Sequence, residues 1–495
     1  MQQLRTMRPV LNSPFMRVLA LALIMALLAW FSMDARNPVR DPDVWWHLAV
    51  GNWIAEHHSV PQVGIFSRTA ADRPWIAYSW GYEVLLSRAY SWFGLMGIAW
   101  FGLLVTLAVA AVLFWMCYRL SRSFWIAWVV GTVGCFAYLF SLMPRPVFVS
   151  MAVYTIVLGL LIEARQKGVL PKLYFVPPLF LLWANLHIQF VYGLCLLALF
   201  TFVTGLEHFC EQRELSFRWL PPPKLWFGGM LFVFAASVLA CCIGPYFFRV
   251  FRVGLEYANS RVPYTFILEL QPPKFVYFTD YFLLFLTISG FVVLLWKRRF
   301  DLFSATLLFV TTISAFRHSR DAWLVSISAA LLIADALKRT PGGEDRLDRF
   351  SPLELAATFA VVPLLLIGVA KSTDFYPREL DRAISYDYPV NAANFLRRHP
   401  LAGPIYNDLN WGGFLIWYMP NYPVAFDGRT DLYGDELTGI IARSREGDYA
   451  SDPILRESRL ILLHKGLPLA AALARDPEFR PVYEDQISVI FVRTN

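Results

Sequence analysis

Eleven stretches of this chain are too long and too uniformly apolar to be accommodated in a water-soluble core. They fall at 16–33, 93–117, 124–142, 147–163, 171–184, 189–206, 225–243, 276–296, 302–316, 322–337 and 353–370. Most approach the ~20 residues a helix needs to cross ~30 Å of hydrocarbon. The stretches at 171–184 and 302–316 are short, as tilted or partly re-entrant segments are. Composition agrees, with 57% apolar and 16% charged residues, against roughly 45–50% and ~25% in ordinary globular chains. Disorder, collagen-like repeats and a disulfide scaffold are excluded. The first stretch lacks a small-residue cleavage pattern and is followed by Asp34 and Arg36, so it reads as a retained helix, not a removed signal peptide.

The basic residues orient these spans. With Arg5, Arg8 and Arg17 placed in the cytoplasm, the same side receives Arg119/Arg122, Arg165/Lys167/Lys172, Arg213/Arg218/Lys224, Lys297/Arg298/Arg299 and Lys338/Arg339/Arg346/Arg349. The other side receives a long loop at 34–92, turns near 143–146, 185–188 and 317–321, a loop at 244–275, and everything after 371. The net charge of +7 is therefore a topology signal, and nucleic acid is not an expected partner. None of the six cysteines falls in an outer segment, and no CxxC pair suggests zinc. Residues 338–350 read as a linker.

The expected fold class is a polytopic α-helical membrane protein of about eleven spans, with interfacial helices in the first outer loop and a C-terminal soluble α/β domain. The expected division is 1–371, containing the outer loop 34–92, and 372–495. In the tail, strands are expected at Ile405–Asn407, Val424–Phe426, Leu460–Leu463, Val482–Tyr483 and Val489–Val492, with helices near 411–418, 436–446 and 467–475. That alternation argues for a largely buried sheet.

The first outer loop opens Arg40-Asp41-Pro42-Asp43-Val44-Trp45-Trp46-His47. Trp46, Val50, Trp53 and His57 recur at helical spacing up to Pro61, and two Trp at the start suit the headgroup region. A second helix is expected around Trp75, Trp80, Tyr82 and Leu85. Asp41 is well placed as an N-cap, with Pro42 at the first helical position and Asp43 complementing the helix dipole. The functional alternative makes Asp43, with Asp41, a general base toward an acceptor hydroxyl or amine. An Asp-x-Asp pair is also able to hold a divalent cation.

A first span followed by a long outer loop, an acidic motif and two interfacial helices resembles the GT-C superfamily of membrane glycosyltransferases. That group includes protein O-mannosyltransferases, the aminoarabinose transferase of lipid A and oligosaccharyltransferases. The resemblance covers roughly 1–340 and implies a catalytic Asp in this loop, which Asp43 matches best. Val44 stands where many relatives carry Glu. Arg73-Pro74-Trp75 and Tyr78-Ser79-Trp80-Gly81-Tyr82-Glu83 look like the continuation of the loop. The implied partners are a polyprenyl-phosphate-linked sugar, membrane lipids and an envelope acceptor.

Other outer turns suit an anionic lipid. Arg145, in Met143-Pro144-Arg145-Pro146, needs a partner on a side where cations are disfavoured, either a protein carboxylate or a phosphate. Asn185 and His187 end a span and are able to position a sugar or phosphate; alternatively His187 is an ordinary helix-end residue. Arg317, His318 and Arg320, beside Asp321, form the densest polar cluster between spans, read either as interface anchors or as a clamp for a polyprenyl phosphate. The loop 244–275 has the length of a flexible lid.

In the tail, Gly412-Gly413 is expected to open a helix after a strand and so to cradle an anion. Asp427-Gly428-Arg429 reads either as the lip of a site or as a tight turn with its own ion pair. Two other functions compete with glycosyl transfer, namely a transporter or flippase of envelope lipids and a non-catalytic envelope scaffold. Charged residues are nearly absent from span centres, with Asp335 and Glu163 near cytoplasmic ends, which disfavours an ion relay.

Overall fold

The computed structural model describes residues 13–34, 37–138, 143–298, 301–338 and 351–494. Arg5, Arg8, Arg36, Arg299, Arg339, Arg346, Arg349 and all but the first residue of the 338–350 linker lie outside the described residues. Each apolar stretch corresponds to one helix: Pro14–Met33, Leu95–Ser121, Phe124–Ala137, Val147–Lys167, Val176–Leu186, Phe190–Gln212, Phe227–Cys241, Phe278–Trp296, Leu302–Arg317, Ala322–Ala336 and Pro352–Ser372. Six of them, beginning at Pro14, Leu95, Val147, Phe190, Phe278 and Pro352, are long and apolar enough to cross a membrane by length and composition. The chain is a multi-pass membrane protein.

The chain forms two compact units. The first comprises residues 1–33, 102–247 and 269–373 and holds most of the apolar helices. Ala322–Ala336 is buried almost all round, which its small residues allow. A Cβ on Gly134 would sit 3.6 Å from Ala330, and one on Gly290 would sit 3.3 Å from Ala329, so the helices approach closely where side chains are smallest. Tyr154 and Ser328 hydroxyls hydrogen-bond at 2.9 Å. Pro352–Ser372 begins with a Ser351/Glu354 capping box, and Glu354 faces the buried Arg17 at 3.7 Å.

The second unit comprises 34–101, 248–268 and 374–495. The 34–92 loop thus falls in the same compact unit as the tail. Its helices Pro42–His57 and Trp80–Phe93 lie against each other. Trp45 and Trp46 are buried and do not face headgroups: Trp45 packs edge-on to Tyr388 and Phe414 and tilts against Trp417. A helix with apolar residues around its circumference is buried on several sides at once. The second helix starts at Trp80, leaving Trp75 in the preceding non-helical segment.

The tail carries a four-stranded sheet of β1 (Ile405–Asn407), β2 (Leu460–His464), β3 (Phe479–Glu484) and β4 (Ser488–Arg493), in the order β1-β2-β4-β3. β1 and β2 are parallel, with Ile405 opposite Leu460. The other pairings are antiparallel, with Leu462 opposite Ile490. Val424–Phe426 is not a strand of this sheet. Instead Val424 N donates to Phe66 O at 3.1 Å, and Arg68 N donates to Val424 O at 2.8 Å. The segment's backbone groups are satisfied partly by residues 66–69 and partly by the Asn407 side chain, which accepts from Ala425 N and donates to Phe426 O at 2.8 Å each. The 248–268 segment is folded into the helices Val250–Asn259 and Pro263–Phe266.

Candidate functional site

The two acidic residues of the opening motif have separate positions. Asp41 is buried and caps Pro42–His57, its Oδ1 accepting from Asp43 N at 3.2 Å. The helix start makes use of Asp41, as the capping reading expected. Asp43 lies one residue into the first turn and is only partly buried. Its Oδ1 accepts the Trp46 indole N–H at 3.0 Å, which holds the carboxylate in one orientation.

Gly428 lies directly beside that carboxylate. A Cβ at 428 would overlap Asp43 Oδ1 and come within 3.2 Å of Trp46 Nε1. On either side of Gly428, Asp427 and Arg429 form a doubly hydrogen-bonded pair. Arg429 Nε donates to Asp427 Oδ1 at 2.8 Å, and Arg429 Nη2 donates to Oδ2 at 2.7 Å. Both side chains are 0% exposed. Arg429 Nη2 also donates to Ile65 O at 2.8 Å, and the guanidinium lies 4.7 Å from the Trp75 ring centroid. Asp427 therefore stays well ionised, although burial alone raises its pKa, because Arg429 holds it below the usual carboxylate range. Asp427 and Arg429 thus form the turn's own ion pair, as the tight-turn reading expected, and the pair flanks Gly428.

Gly412 and Gly413 do not open a helix. The helix Leu409–Tyr418 starts three residues earlier, capped by Asp408, and the glycines lie inside it. A Cβ on Gly412 would overlap Phe426 O, and one on Gly413 would lie 2.6 Å from Pro42 O. The pair lets this helix approach the acidic motif's backbone closely, so the anion-cradle reading is corrected to a packing role.

A buried polar group lies on the same helix as Asp43. His47 is at i+4 from Asp43, so the two lie near one face. Its Nδ1 is 3.0 Å from Glu83 Oε1, and both residues are buried. Gly51, at i+8, allows this approach, because a Cβ there would overlap the Glu83 carbonyl. Burial pushes Glu83 well above the carboxylate range, Arg429 opposes the rise and Asp431 adds to it. Asp431 accepts the Trp75 indole N–H at 3.0 Å, and burial raises its pKa to about 6. The sequence reading missed His47, Glu83 and Asp431. The Asp43-His47-Gly51 spacing was the available signal.

In the first unit, Arg145 meets a protein carboxylate: its Nη1 donates to Glu269 Oε2 at 2.7 Å. Arg320 Nη1 reaches the other oxygen of Glu269 at 3.8 Å, while His318 Nδ1 lies 2.8 Å from Leu270 O. Arg317 ends its helix exposed to solvent. Asn185 braces two segments through Nδ2, donating to Leu181 O and Ile243 O at 2.8 Å each. His187 is buried with Nδ1 2.7 Å from Ser150 Oγ, which also accepts the Trp183 indole N–H at 2.7 Å. Burial, with the Arg320 charge, lowers its pKa to about 3, so it is neutral. Arg145 and Arg320 share the Glu269 carboxylate and His318 meets the neighbouring Leu270 carbonyl, whereas Asn185 and His187 have structural partners of their own.

Among the described residues, no group of three or more His, Cys, Asp or Glu side chains is able to hold a metal ion. At the Asp-x-Asp pair, one Asp41 oxygen is engaged by the Asp43 N–H at 3.2 Å.

No family model matches the chain, and no curated protein matches it. Among solved structures it is similar to ArnT from Cupriavidus metallidurans bound to undecaprenyl phosphate, at 14% identity over 96% of this chain and 97% of that one, with a TM-score of 0.46. It is also similar to the archaeal oligosaccharyltransferase AglB from Archaeoglobus fulgidus in complex with an inhibitory peptide and a dolichol-phosphate. There the identity is 12% over 90% of this chain and 69% of that one, with a TM-score of 0.48.

Proposed function

We propose that this chain is a membrane glycosyltransferase of GT-C type. It moves a sugar from a polyprenyl-phosphate donor to an envelope lipid, glycan or protein acceptor on the extracytoplasmic face of a bacterial inner membrane. The N-terminus is then cytoplasmic and the tail extracytoplasmic. The observation that carries this reading is the state of Asp43. Its neighbour Asp41 performs the capping, while Asp43 remains partly exposed with one oxygen fixed by Trp46. A carboxylate held in one orientation suits general-base work.

In the proposed reaction the acceptor oxygen attacks the anomeric carbon as Asp43 takes its proton. The bond from that carbon to the phosphate oxygen breaks, and its electron pair leaves with polyprenyl phosphate. A single displacement inverts the anomeric configuration. Arg145 and Arg320 hold the phosphate and stabilise the charge that develops on it.

The test is Asp43→Asn at normal expression, read by mass spectrometry of envelope lipids and glycans with and without the protein. A glycosylated product should appear with the wild type and fall about 10²–10⁴-fold in the variant. An unchanged product level would overturn the assignment.

A further inference from the structure

Glu269 is bound from two inter-span turns at once, by Arg145 at 2.7 Å and by Arg320 at 3.8 Å. The next two residues are fastened as well. Leu270 O lies 2.8 Å from His318 Nδ1, and Gln271 O accepts from Ser319 N at 2.9 Å and from Ser319 Oγ at 2.8 Å. Residues 269–271 thus form a strap tied to the 317–321 turn, all within one compact unit. Immediately before it, 248–268 belongs to the other unit, so the strap begins where the chain passes from one to the other.

The charges are two guanidiniums and one carboxylate, a net of +1 in this trio. Arg145, Arg320 and Glu269 side chains are 24%, 33% and 38% exposed, so a ligand is able to reach them. A carboxylate and a phosphate offer guanidinium groups the same kind of paired acceptor oxygens. The two arginines' common partner is therefore a group that a phosphate replaces in kind. The two arginines hold Glu269 below the usual carboxylate range against the opposing effect of burial, which keeps it a charged competitor at neutral pH.

We propose that Glu269 is an internal stand-in for the donor's phosphate, and that the 269–271 strap is a latch which phosphate binding opens. The lipid phosphate takes over Arg145 and Arg320, Glu269 leaves them, and the strap is freed from the 317–321 turn. When polyprenyl phosphate departs, Glu269 returns to the arginines and competes against rebinding. This rests on the reading of Arg145 and Arg320 as the phosphate seat. An occupied seat lowers apparent affinity by the fraction of molecules in which it is open, so the latch sets affinity without touching the sugar.

The experiment measures binding of undecaprenyl phosphate to the full chain in detergent, comparing wild type, Glu269→Gln, Arg145→Gln and Arg320→Gln. Glu269→Gln keeps the side chain's size, and its partial exposure leaves the fold intact. It should tighten binding about tenfold, whereas each Arg variant should weaken it about tenfold. Inorganic phosphate at the same concentration should not compete; equal competition would overturn the assignment to a lipid headgroup. If the Arg variants weaken binding while Glu269→Gln does not tighten it, the latch is wrong and the phosphate seat stands. If the Arg variants bind like wild type, the seat itself is wrong. As a second measurement, hydrogen exchange at the Ser319 amide should speed up when the lipid is added to wild type. Unchanged protection would also overturn the latch.

Discussion

Asp43 Oδ1 lies so close to the backbone of Gly428 that any side chain at 428 would overlap it. The two residues are far apart in sequence, yet the buried Asp427–Arg429 pair on either side of the glycine sets that backbone firmly. The carboxylate's position therefore depends on the tail as well as on its own helix.

Gly428→Ala should accordingly displace the Asp43 carboxylate and lower product formation about tenfold or more, since small misplacements of a catalytic group are costly. Trp46→Phe removes the indole N–H that fixes the same oxygen and should cause a loss of similar size. Product quantified by mass spectrometry, at matched amounts of folded protein, checks both. Wild-type output from Gly428→Ala would show that Asp43 is not the base.

Asp41 and Asp43 should separate cleanly. Asp41→Ser retains an N-cap side chain and should leave product formation close to wild type, while Asp41→Ala should cost about 1 kcal/mol of stability. Thermal unfolding in detergent alongside product measurement checks this. Loss of product in a stable Asp41→Ser variant would return Asp41 to the chemistry.

Breaking the Asp427–Arg429 pair should be severe. Arg429→Met leaves a buried carboxylate without its partner and should destabilise the second unit by about 3–5 kcal/mol. The double variant Asp427→Asn/Arg429→Met should be less destabilised than the sum of the single variants. A double-mutant cycle on thermal unfolding measures the coupling, and strict additivity would contradict it.

Asp431 should make stability depend on pH. Its folded pKa of about 6 lies above the unfolded value of about 4, so the folded state favours the neutral acid. Its contribution is fully present below the unfolded pKa and is lost as pH rises through about 6. Asp431→Asn should therefore be nearly neutral at pH 4 and stabilising by about 2–3 kcal/mol at pH 7.5. Equal shifts in melting temperature at the two pH values would refute this.

The amino-acid sequence by itself determined the local structure of this protein. Eleven apolar stretches correspond to eleven helices, and Ile405–Asn407, Leu460–Leu463 and Val489–Val492 are parts of strands β1, β2 and β4. Hydropathy over a helix length and side-chain alternation over a strand are short-range properties, legible along the chain. The capping role of Asp41 was legible for the same reason, because a cap acts within three residues. Tertiary structure alone decided which segments meet. It placed the first outer loop with the tail and made Gly412 and Gly413 points of close approach. It joined His47 to Glu83, and it gave Arg145 and Arg320 a common carboxylate at Glu269. The charged pairings reflect the cost of burying a charge without a partner. Local spacing marks the shared helix face of Asp43, His47 and Gly51, but it does not name the partner that face will meet.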